Sequence, residues 1–339
     1  MFDQSKKYLF VTPVLPYAAD GTIDELQYRS LLRRYLEPQY IAAGMALIAN
    51  PEAGEIFYLD REEKRRIVEI TIEEAAGRVP VFAGVIDTTT TGTVAVAEDA
   101  AAAGADGLFV MPPIGALDIS SSWNADLYPE VFIDMLHAIT DSVDLPMIVH
   151  PTSSASARYG IGIPAKATRA IIDAVPQIVG WKMTYNYDGF RELTRTLRSV
   201  ERPIAILGAV ASYFHENLAT GAFDGTATGT WNYAHEAMFE HIQAWERGDI
   251  ETARKIWEGG LAQLHEYVYS DFSRLHIRYK VACWLRGAID SPAMRAPLPR
   301  PLQDEIDTLK QLLARTGLPV IDDSAIEAYT TSHKKALVG

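Results

Sequence analysis

The segment IVGWKMTYN (residues 178–186) has the composition of a strand buried on both faces, except for one lysine. Continuous apolar runs of this kind are typical of parallel strands that are covered on both sides. Because side chains alternate along a strand, Lys182 is predicted to point inward together with Ile178 and Gly180. A lysine in that place loses its hydration, so its presence requires an explanation.

Seven further runs of the same kind occur along the chain, and segments with helical periodicity separate them. Two of these segments, DREEKRRIVEITIEEAAG and GTVAVAEDAAAAGA, are closed by glycine, as helix C-termini often are. Strand and helix therefore alternate, which predicts an α/β fold, a (β/α)8 TIM barrel. The eight predicted strands begin at Tyr8, Met45, Val79, Gly107, Leu145, Ile178, Pro203 and Gly225.

The strand pattern disappears from about Tyr233 onward, and residues 234–270 read as helices with a turn near Gly248. The prediction is a barrel over residues 1–232 and a C-terminal helical extension over residues 233–339. A chain of 339 residues suits one barrel with such an extension. No G-x-G-x-x-G follows the first strand, which excludes the simplest dinucleotide-binding alternative.

Charge and composition limit the partners of the chain. The formal net charge is −13 and no basic block occurs apart from the short HKK near the end, so nucleic acid is not expected as a partner. The start, MFDQSKKYLFVTPVLPY, lacks the apolar core of a signal peptide, and no run approaches the length of a membrane span. We therefore expect no membrane association and a cytoplasmic location. A single cysteine, Cys283, excludes intrachain disulfides and cysteine metal clusters.

Lys182 lies near the C-terminal end of the sixth predicted strand, the edge of the barrel where active sites are found. Burial disfavours the ammonium form and lowers the pKa of a lysine. At a pKa of about 7 to 8 the amine is able to attack a carbonyl group and form an imine. The alternative interpretation is a lysine that extends to solvent at the barrel mouth or pairs with a buried carboxylate.

Four further features of the sequence point to one family. They are the GxK at the end of the sixth strand, the Gly54–Glu55 pair after the second, the AGV of the third, and YKVACWLRG followed by MRAPLPRP. Together they resemble the dihydrodipicolinate synthase / N-acetylneuraminate lyase family over roughly residues 8–313. The resemblance implies a Schiff base between Lys182 and pyruvate or another 2-oxo acid. It also implies a 2-oxo acid or aldehyde as the small-molecule partner, and a homo-oligomer, either a dimer or a tetramer.

The chain departs from the family pattern after the second strand. Family members usually carry G-T-T-G-E there, and this chain has NPEAGE. Alignment on Gly54 and Glu55 places Glu52 and Ala53 at the positions of the two threonines, and these four residues are predicted to bind substrate. A carboxylate beside a bound carboxylate is repulsive unless it is protonated or turned away. In the alternative interpretation Glu52 faces solvent and backbone N–H groups hold the anion.

The second departure is His150, which replaces the family's proton-transferring tyrosine on the fifth strand. Histidine titrates near neutral pH and both donates and accepts protons, so His150 is predicted to be the acid/base group. The alternative is a hydrogen-bonded structural histidine, with the proton passing through Ser153, Ser154, Glu55 or water.

The third departure follows the fourth strand. The family places a tyrosine there that reaches a neighbouring subunit, and this chain offers Pro113 and Ile114. Thr152, Ser153 and Arg158 follow the fifth strand as candidate substrate-binding replacements, with Arg158 suited to a carboxylate.

Small residues on the last two strands complete the predicted site. Gly208 at the end of the seventh strand and Ala227 on the eighth fall on the pocket rim by the same alignment. Their small size leaves room for substrate, although packing of the barrel core also favours small side chains.

These observations predict a lyase, an aldolase or dehydratase, that is not dihydrodipicolinate synthase itself. A catalytically silent or regulatory barrel is the alternative, because loss of the threonines and the tyrosine is what decay of the site would produce. A metal-dependent barrel needs inward ligands on several strand ends, and only His150 qualifies. No metal and no cofactor are therefore predicted.

Overall fold

The barrel is closed and all eight of its strands run parallel. A computed structural model describes residues 2–113 and 123–337, so Ile114 lies outside the described residues. The predicted (β/α)8 barrel is confirmed, and each predicted strand corresponds to one barrel strand. These strands are β1 (Tyr8–Val11), β2 (Met45–Ala49), β3 (Val81–Val85), β4 (Gly107–Val110), β5 (Met147–Val149), β8 (Ile178–Met183), β9 (Ala205–Gly208) and β10 (Gly225–Thr228). Their order around the barrel is β1-β10-β9-β8-β5-β4-β3-β2.

Helices connect the strands, and one hairpin lies outside the barrel. The hairpin pairs β6 (Thr152–Ser156) with β7 (Gly160–Gly162) in antiparallel fashion after β5. The connecting helices are α1 (Glu25–Tyr35), α2 (Pro38–Ala42), α3 (Arg61–Ala75), α4 (Thr90–Ala103), α5 (Glu130–Ser142), α6 (Ala165–Ala174), α7 (Tyr187–Arg198) and α8 (Phe214–Ala219).

The C-terminal helical extension is also confirmed. After β10 come α9 (Trp231–Glu246), α10 (Ile250–Ile256), a π-helical turn (Trp257–Leu261), α11 (Ala262–Tyr269), α12 (Leu275–Leu285), α13 (Gln303–Arg315) and α14 (Asp323–Leu337). The domain boundary predicted between residues 232 and 233 falls inside α9 and stays a prediction. Within the described ranges, no helix is long and apolar enough to span a membrane.

Alternation along the strands divides the apolar core into two layers. Phe10, Phe82 and Phe109 belong to a cluster inside the barrel, whereas their neighbours along each strand pack in the outer layer beneath the helices. A bulge interrupts this alternation on β8, where Met147 pairs with Ile178 but Ile148 pairs with Gly180. The inward direction predicted for Ile178 is therefore wrong, since Ile178 packs in the outer layer. Gly180 remains on the inner face, where an added Cβ would approach Ile148 to 3.1 Å.

Because histidines are buried in the C-terminal half, we expect the free energy of unfolding to fall in acid. Burial, followed by the neighbouring His241, lowers the pKa of His265 to about 3. His265 therefore binds a proton more tightly in the unfolded chain than in the folded protein. The stability that neutral His265 contributes is complete above about pH 6.5 and is lost as the pH falls toward 3. For this one group we expect the free energy of unfolding to fall by about 1.4 kcal/mol per pH unit below about 6.5.

Urea unfolding at several pH values between 6.5 and 4.5 measures this dependence. His265→Gln should show a shallower slope than the wild type, whatever its absolute stability. His137→Gln is the control, because His137 is exposed on α5. Equal slopes for wild type and His265→Gln would contradict the prediction.

Candidate active site

A cavity opens at the C-terminal ends of the barrel strands, where the sequence predicts the site. It encloses about 560 Å³ of space, part of it open to solvent. Parallel strands that close into a barrel bring their C-terminal ends to one rim, so residues from distant parts of the sequence meet there. The barrel contributes Thr12, Glu52, Ala53, His150, Lys182 and Thr228 to the wall.

Lys182 lies at the penultimate position of β8 and lines this cavity. Its residue exposure is 9%, and its Nζ lies 5.5 Å from the centroid of the Phe109 ring. Burial lowers the pKa of Lys182 to about 8, and the negative charge of Glu52 opposes this shift. About one Lys182 amine in ten is then neutral at pH 7, compared with about one in 3000 for an ordinary lysine. The side chain is therefore suited to nucleophilic attack.

Glu52 faces the cavity, which answers the question that the sequence leaves open. It begins a short 3-10 turn (Glu52–Gly54) directly after β2. Its Oε2 lies 3.3 Å from Nε2 of His150, and its side chain is 24% exposed. The interpretation in which Glu52 points to bulk solvent is wrong, because its carboxylate lines the cavity and contacts a buried side chain.

His150 lies behind Glu52 and is almost entirely buried. Its exposure is 1%, and its ring packs 5.5 Å from the Phe109 ring between centroids. Burial, followed by the positive charge of Lys182, lowers the pKa of His150 well below its usual value. An imidazole in this place is neutral near pH 7. Its protonation is therefore moved to lower pH than the near-neutral titration of an ordinary histidine.

The second ring nitrogen of His150 has no partner. Nδ1 is buried and forms no hydrogen bond within the described residues. A neutral imidazole carries one proton, and Nε2 is the ring nitrogen that lies 3.3 Å from the Glu52 carboxylate. When the proton is on Nε2, Nδ1 is a bare acceptor.

The outer wall of the cavity comes from the C-terminal extension, which the sequence prediction missed. Tyr269, Phe272, Leu275, His276 and Tyr279 line the cavity from α11, α12 and the turn between them. No local pattern marks these residues, because α12 is buried around most of its circumference and reads as a core helix. Only the way in which the extension folds back over the barrel places them at the site.

Hydroxyl groups form a chain along this wall. Tyr279 donates to the hydroxyl of Tyr269 at 2.5 Å, and Tyr269 donates to the carbonyl oxygen of Ala209 at 2.6 Å. The Thr228 hydroxyl lies 3.1 Å from that of Tyr269 and donates to the same carbonyl at 3.0 Å. These hydroxyls are held by one another, and the chain fixes the outer wall to the ends of two barrel strands.

Glu55 was predicted to bind substrate, but it does not line the cavity. Its Oε1 accepts a hydrogen bond from Nζ of Lys280 at 2.5 Å, and its Oε2 accepts one from the backbone N–H of Arg295 at 3.0 Å. Glu55 and Lys280 are each 1% exposed, so the pair is buried. The pair ties α12 to the turn that carries Glu52. Glu55 therefore positions the two walls of the cavity relative to each other.

The other predicted residues of this turn have different places. Ala53 is buried and lines the cavity, and its role in substrate binding stays a prediction. Gly54 does not line it, and an added Cβ there would approach the carbonyl oxygen of Pro13 to 3.1 Å. Close packing against the chain after β1 explains glycine at this position.

Gly208 and Ala227 also lie off the cavity wall, contrary to the prediction. An added Cβ on Gly208 would meet Phe214 at 3.0 Å, so Gly208 faces the outer layer. Ala227 belongs to the cluster inside the barrel, below the cavity floor. The following residues on these strands line the cavity instead, namely Ala209 and Thr228. The alignment is displaced by one residue on each strand. Because side chains alternate, a shift of one residue moves the predicted side chain to the opposite face of the strand.

The predicted residues after β5 lie outside the cavity. Thr152 and Ser153 belong to the β6–β7 hairpin and do not line the cavity, although Ile161 of the same hairpin does. The side chain of Arg158 is 69% exposed, and its Nε donates to Glu192 at 2.6 Å. Arg158 is therefore held outside the cavity, and within the described residues no arginine lines it.

Among residues 2–113 and 123–337, no group of three or more His, Cys, Asp or Glu side chains has an arrangement that could hold a metal ion. Lys182, Glu52, His150 and His276 instead form a cluster suited to nucleophilic and proton-transfer chemistry.

Comparison with known proteins agrees with the fold and with the resemblance in sequence. Residues 5–316 match the model of the Dihydrodipicolinate synthetase family. A 4-hydroxy-tetrahydrodipicolinate synthase of Acidiphilium cryptum is 30% identical over 313 residues, which cover 92% of this chain and 98% of the relative.

Solved structures show the same fold at lower identity. The dihydrodipicolinate synthase of Aquifex aeolicus superimposes with a TM-score of 0.77 at 21% identity, covering 93% of this chain and all of that one (100%). A prophage protein of E. coli K12 in complex with pyruvate gives a TM-score of 0.77 at 22% identity, covering 92% and 99%. The family match and the barrel together establish that the chain is a member of the dihydrodipicolinate synthetase family, a family of lyases.

Proposed function

We propose that this protein is a Schiff-base-forming lyase, an aldolase or dehydratase, that acts on a 2-oxo acid through Lys182. One observation carries the proposal. A buried lysine with a pKa of about 8 lines a cavity at the C-terminal ends of the barrel strands. Membership of a lyase family supports the same conclusion.

The chemistry begins with the neutral amine of Lys182. It attacks the 2-oxo carbon, and loss of water leaves a protonated imine. The positive nitrogen withdraws electrons from the adjacent carbon, so a carbon–carbon bond breaks or a β-hydroxyl group departs. The Glu52 carboxylate lines the same cavity, and its negative charge stabilises the iminium nitrogen.

The substrate carboxylate needs hydrogen-bond donors, and two backbone N–H groups of the turn after β2 are already hydrogen-bonded. The N–H groups of Gly54 and Glu55 already donate to Pro51 and Glu52 at 3.0 and 2.9 Å. Thr184, two residues after Lys182, lines the cavity, and its buried Oγ1 has no partner within the described residues. We infer that the Thr184 hydroxyl donates to the carboxylate of the bound 2-oxo acid.

Several side chains support a substrate other than that of the lysine-biosynthesis synthase. Glu52 and Ala53 replace both threonines that hold the oxo acid in the family pattern, and His150 replaces the tyrosine. Arg158 is held outside the cavity by Glu192. The outer wall is largely apolar and aromatic, which suits a hydroxylated or bulkier 2-oxo acid whose far end is uncharged.

A panel of aldol and dehydration assays tests this proposal. We expect measurable cleavage or dehydration of a 2-oxo acid that has an uncharged far end and a hydroxyl group β to the oxo carbon. The reaction should be insensitive to a metal chelator. Condensation of pyruvate with aspartate semialdehyde should be slower than that reaction by a factor of about 100 or more, because Arg158, the candidate donor to a second carboxylate, is held outside the cavity by Glu192. Fast condensation of pyruvate with aspartate semialdehyde would refute the proposal that this protein is not the lysine-biosynthesis synthase.

A catalytically silent barrel remains the alternative, favoured by the loss of the threonines and the tyrosine. It predicts that no 2-oxo acid becomes attached to Lys182. The homo-oligomer expected from the resemblance also stays a prediction.

A further inference from the structure

Glu52 and His150 form a pair whose two members differ in their access to the cavity. Glu52 is 24% exposed on the cavity side, whereas the His150 side chain is 1% exposed and lies behind it. Both side chains line the cavity, and Glu52 is the more accessible of the two.

The position of Glu52 relative to Lys182 fits proton transfer at the imine. Both side chains line one cavity, and the charge of Glu52 is felt at the Lys182 amine. A carboxylate that is partly solvated and backed by a neutral imidazole accepts a proton without creating a second buried charge. The hydroxyl groups of Thr228, Tyr269 and Tyr279 are bonded to one another and to Ala209, so they are less available for this step.

We propose that Glu52 is the catalytic group that exchanges protons with the Lys182-bound substrate, and that His150 is the positioning residue behind it. This inference rests on the proposed Schiff-base function and assigns its proton transfers. Nothing in the family pattern supplies a carboxylate at this position, since threonine stands there.

The step is a tautomerisation of the imine. In the complex with pyruvate, Glu52 takes a proton from the methyl carbon, the C–H electron pair forms a carbon–carbon double bond, and the iminium pair returns to nitrogen. The neutral enamine then accepts a proton from Glu52 in the reverse direction. With a substrate whose hydroxyl group lies β to the imine carbon, Glu52 takes the hydroxyl proton instead. The O–H pair forms the carbonyl of the departing aldehyde, the pair of the broken carbon–carbon bond forms the enamine double bond, and the iminium pair returns to nitrogen.

The charged and titratable groups around Glu52 come from three elements. Lys182 approaches from β8, His150 from the end of β5, and His276 from α12. Burial is the main reason that the pKa of His276 lies below its usual value. With both imidazoles neutral, the iminium is the positive charge that Glu52 faces, and transfer of a proton to Glu52 neutralises both charges together.

Exchange of the pyruvate methyl protons in deuterium oxide measures this step without the natural substrate. Proton NMR follows loss of the methyl signal with wild type, Glu52→Gln, and the control Glu192→Gln, which removes a carboxylate on α7 that does not line the cavity. We expect exchange in Glu52→Gln to be slower by a factor of about 100 or more, because the amide takes up no proton. Glu192→Gln should exchange like the wild type.

Borohydride trapping of pyruvate separates this inference from the proposed function. Trapping should remain in Glu52→Gln, since the imine still forms at Lys182. Trapping without loss of exchange in that variant overturns the role of Glu52 and leaves the Schiff base intact. Absence of trapping in the wild type overturns the Schiff base itself. Wild-type trapping without any methyl exchange also counts against Glu52.

A double-variant cycle tests the role of His150. His150→Phe should slow exchange less than Glu52→Gln, because it removes a partner and not the proton acceptor. The double variant should be no slower than Glu52→Gln alone, since residues that act as one unit are not additive. Independent, additive losses would show that His150 acts apart from Glu52.

Discussion

Lys182→Met is expected to reduce turnover by a factor of at least about 10⁴ while the fold persists. Methionine keeps the length and apolar stem of the side chain and removes the nucleophile. It also removes the desolvation that lowers the pKa of the lysine. The free energy of unfolding should therefore be unchanged or higher. Steady-state kinetics with the substrate found in the panel of assays, together with urea unfolding, measures both effects.

Lys166→Met is the matched control for this variant. Lys166 is exposed on α6, away from the cavity, so its replacement should leave turnover near the wild-type value. Turnover in Lys182→Met within about tenfold of wild type would rule out an imine at this residue. Loss of the fold in Lys182→Met would instead assign the lysine a structural role.

The largest expected effect on stability belongs to the buried pair of Glu55 and Lys280. Glu55→Gln leaves the Lys280 ammonium uncompensated in a place where its exposure is 1%. Removing one member of a buried ion pair typically lowers the free energy of unfolding by about 3 to 5 kcal/mol. Urea unfolding near pH 7 should show a loss in that range. The control Glu192→Gln breaks the exposed pair with Arg158 and should lose less than about 1 kcal/mol.

A double variant tests the cause of this loss. Glu55→Gln combined with Lys280→Met removes the uncompensated charge as well as its partner, and an apolar replacement of a buried pair is often close to neutral. We expect the double variant to recover part of the stability that Glu55→Gln loses. A double variant as unstable as the sum of the two single variants would show that the two residues act independently.

The sequence predicts the barrel well because its signals are local. Short apolar runs and intervening helical periodicity lie within each βα unit, and closure of the barrel follows from their number. Lys182 was identified for the same reason, since a charged residue in an apolar strand stands out without reference to the rest of the chain. The bulge beside it was not predicted, because bulges depend on how the neighbouring strand pairs.

The remainder of the site depends on contacts between distant segments. Glu52 lies in a turn, where no periodicity gives the direction of a side chain, and its contact with His150 spans two strand ends. The wall that holds Tyr269 and His276 arises from the folding back of the extension. Arg158 was misplaced because its partner Glu192 belongs to another element. Local patterns carry no information on such pairings.

The most direct test of a Schiff base at Lys182 is the residue to which borohydride reduction attaches pyruvate. Lys182 and Lys280 are both buried lysines whose pKa burial lowers, but Lys280 is paired with Glu55. Peptide mapping by mass spectrometry distinguishes them. If Lys182 forms the Schiff base, the wild type carries a reduced adduct on Lys182, and Lys182→Met carries none. An adduct on Lys280 or on surface lysines, or no adduct at all, would contradict it.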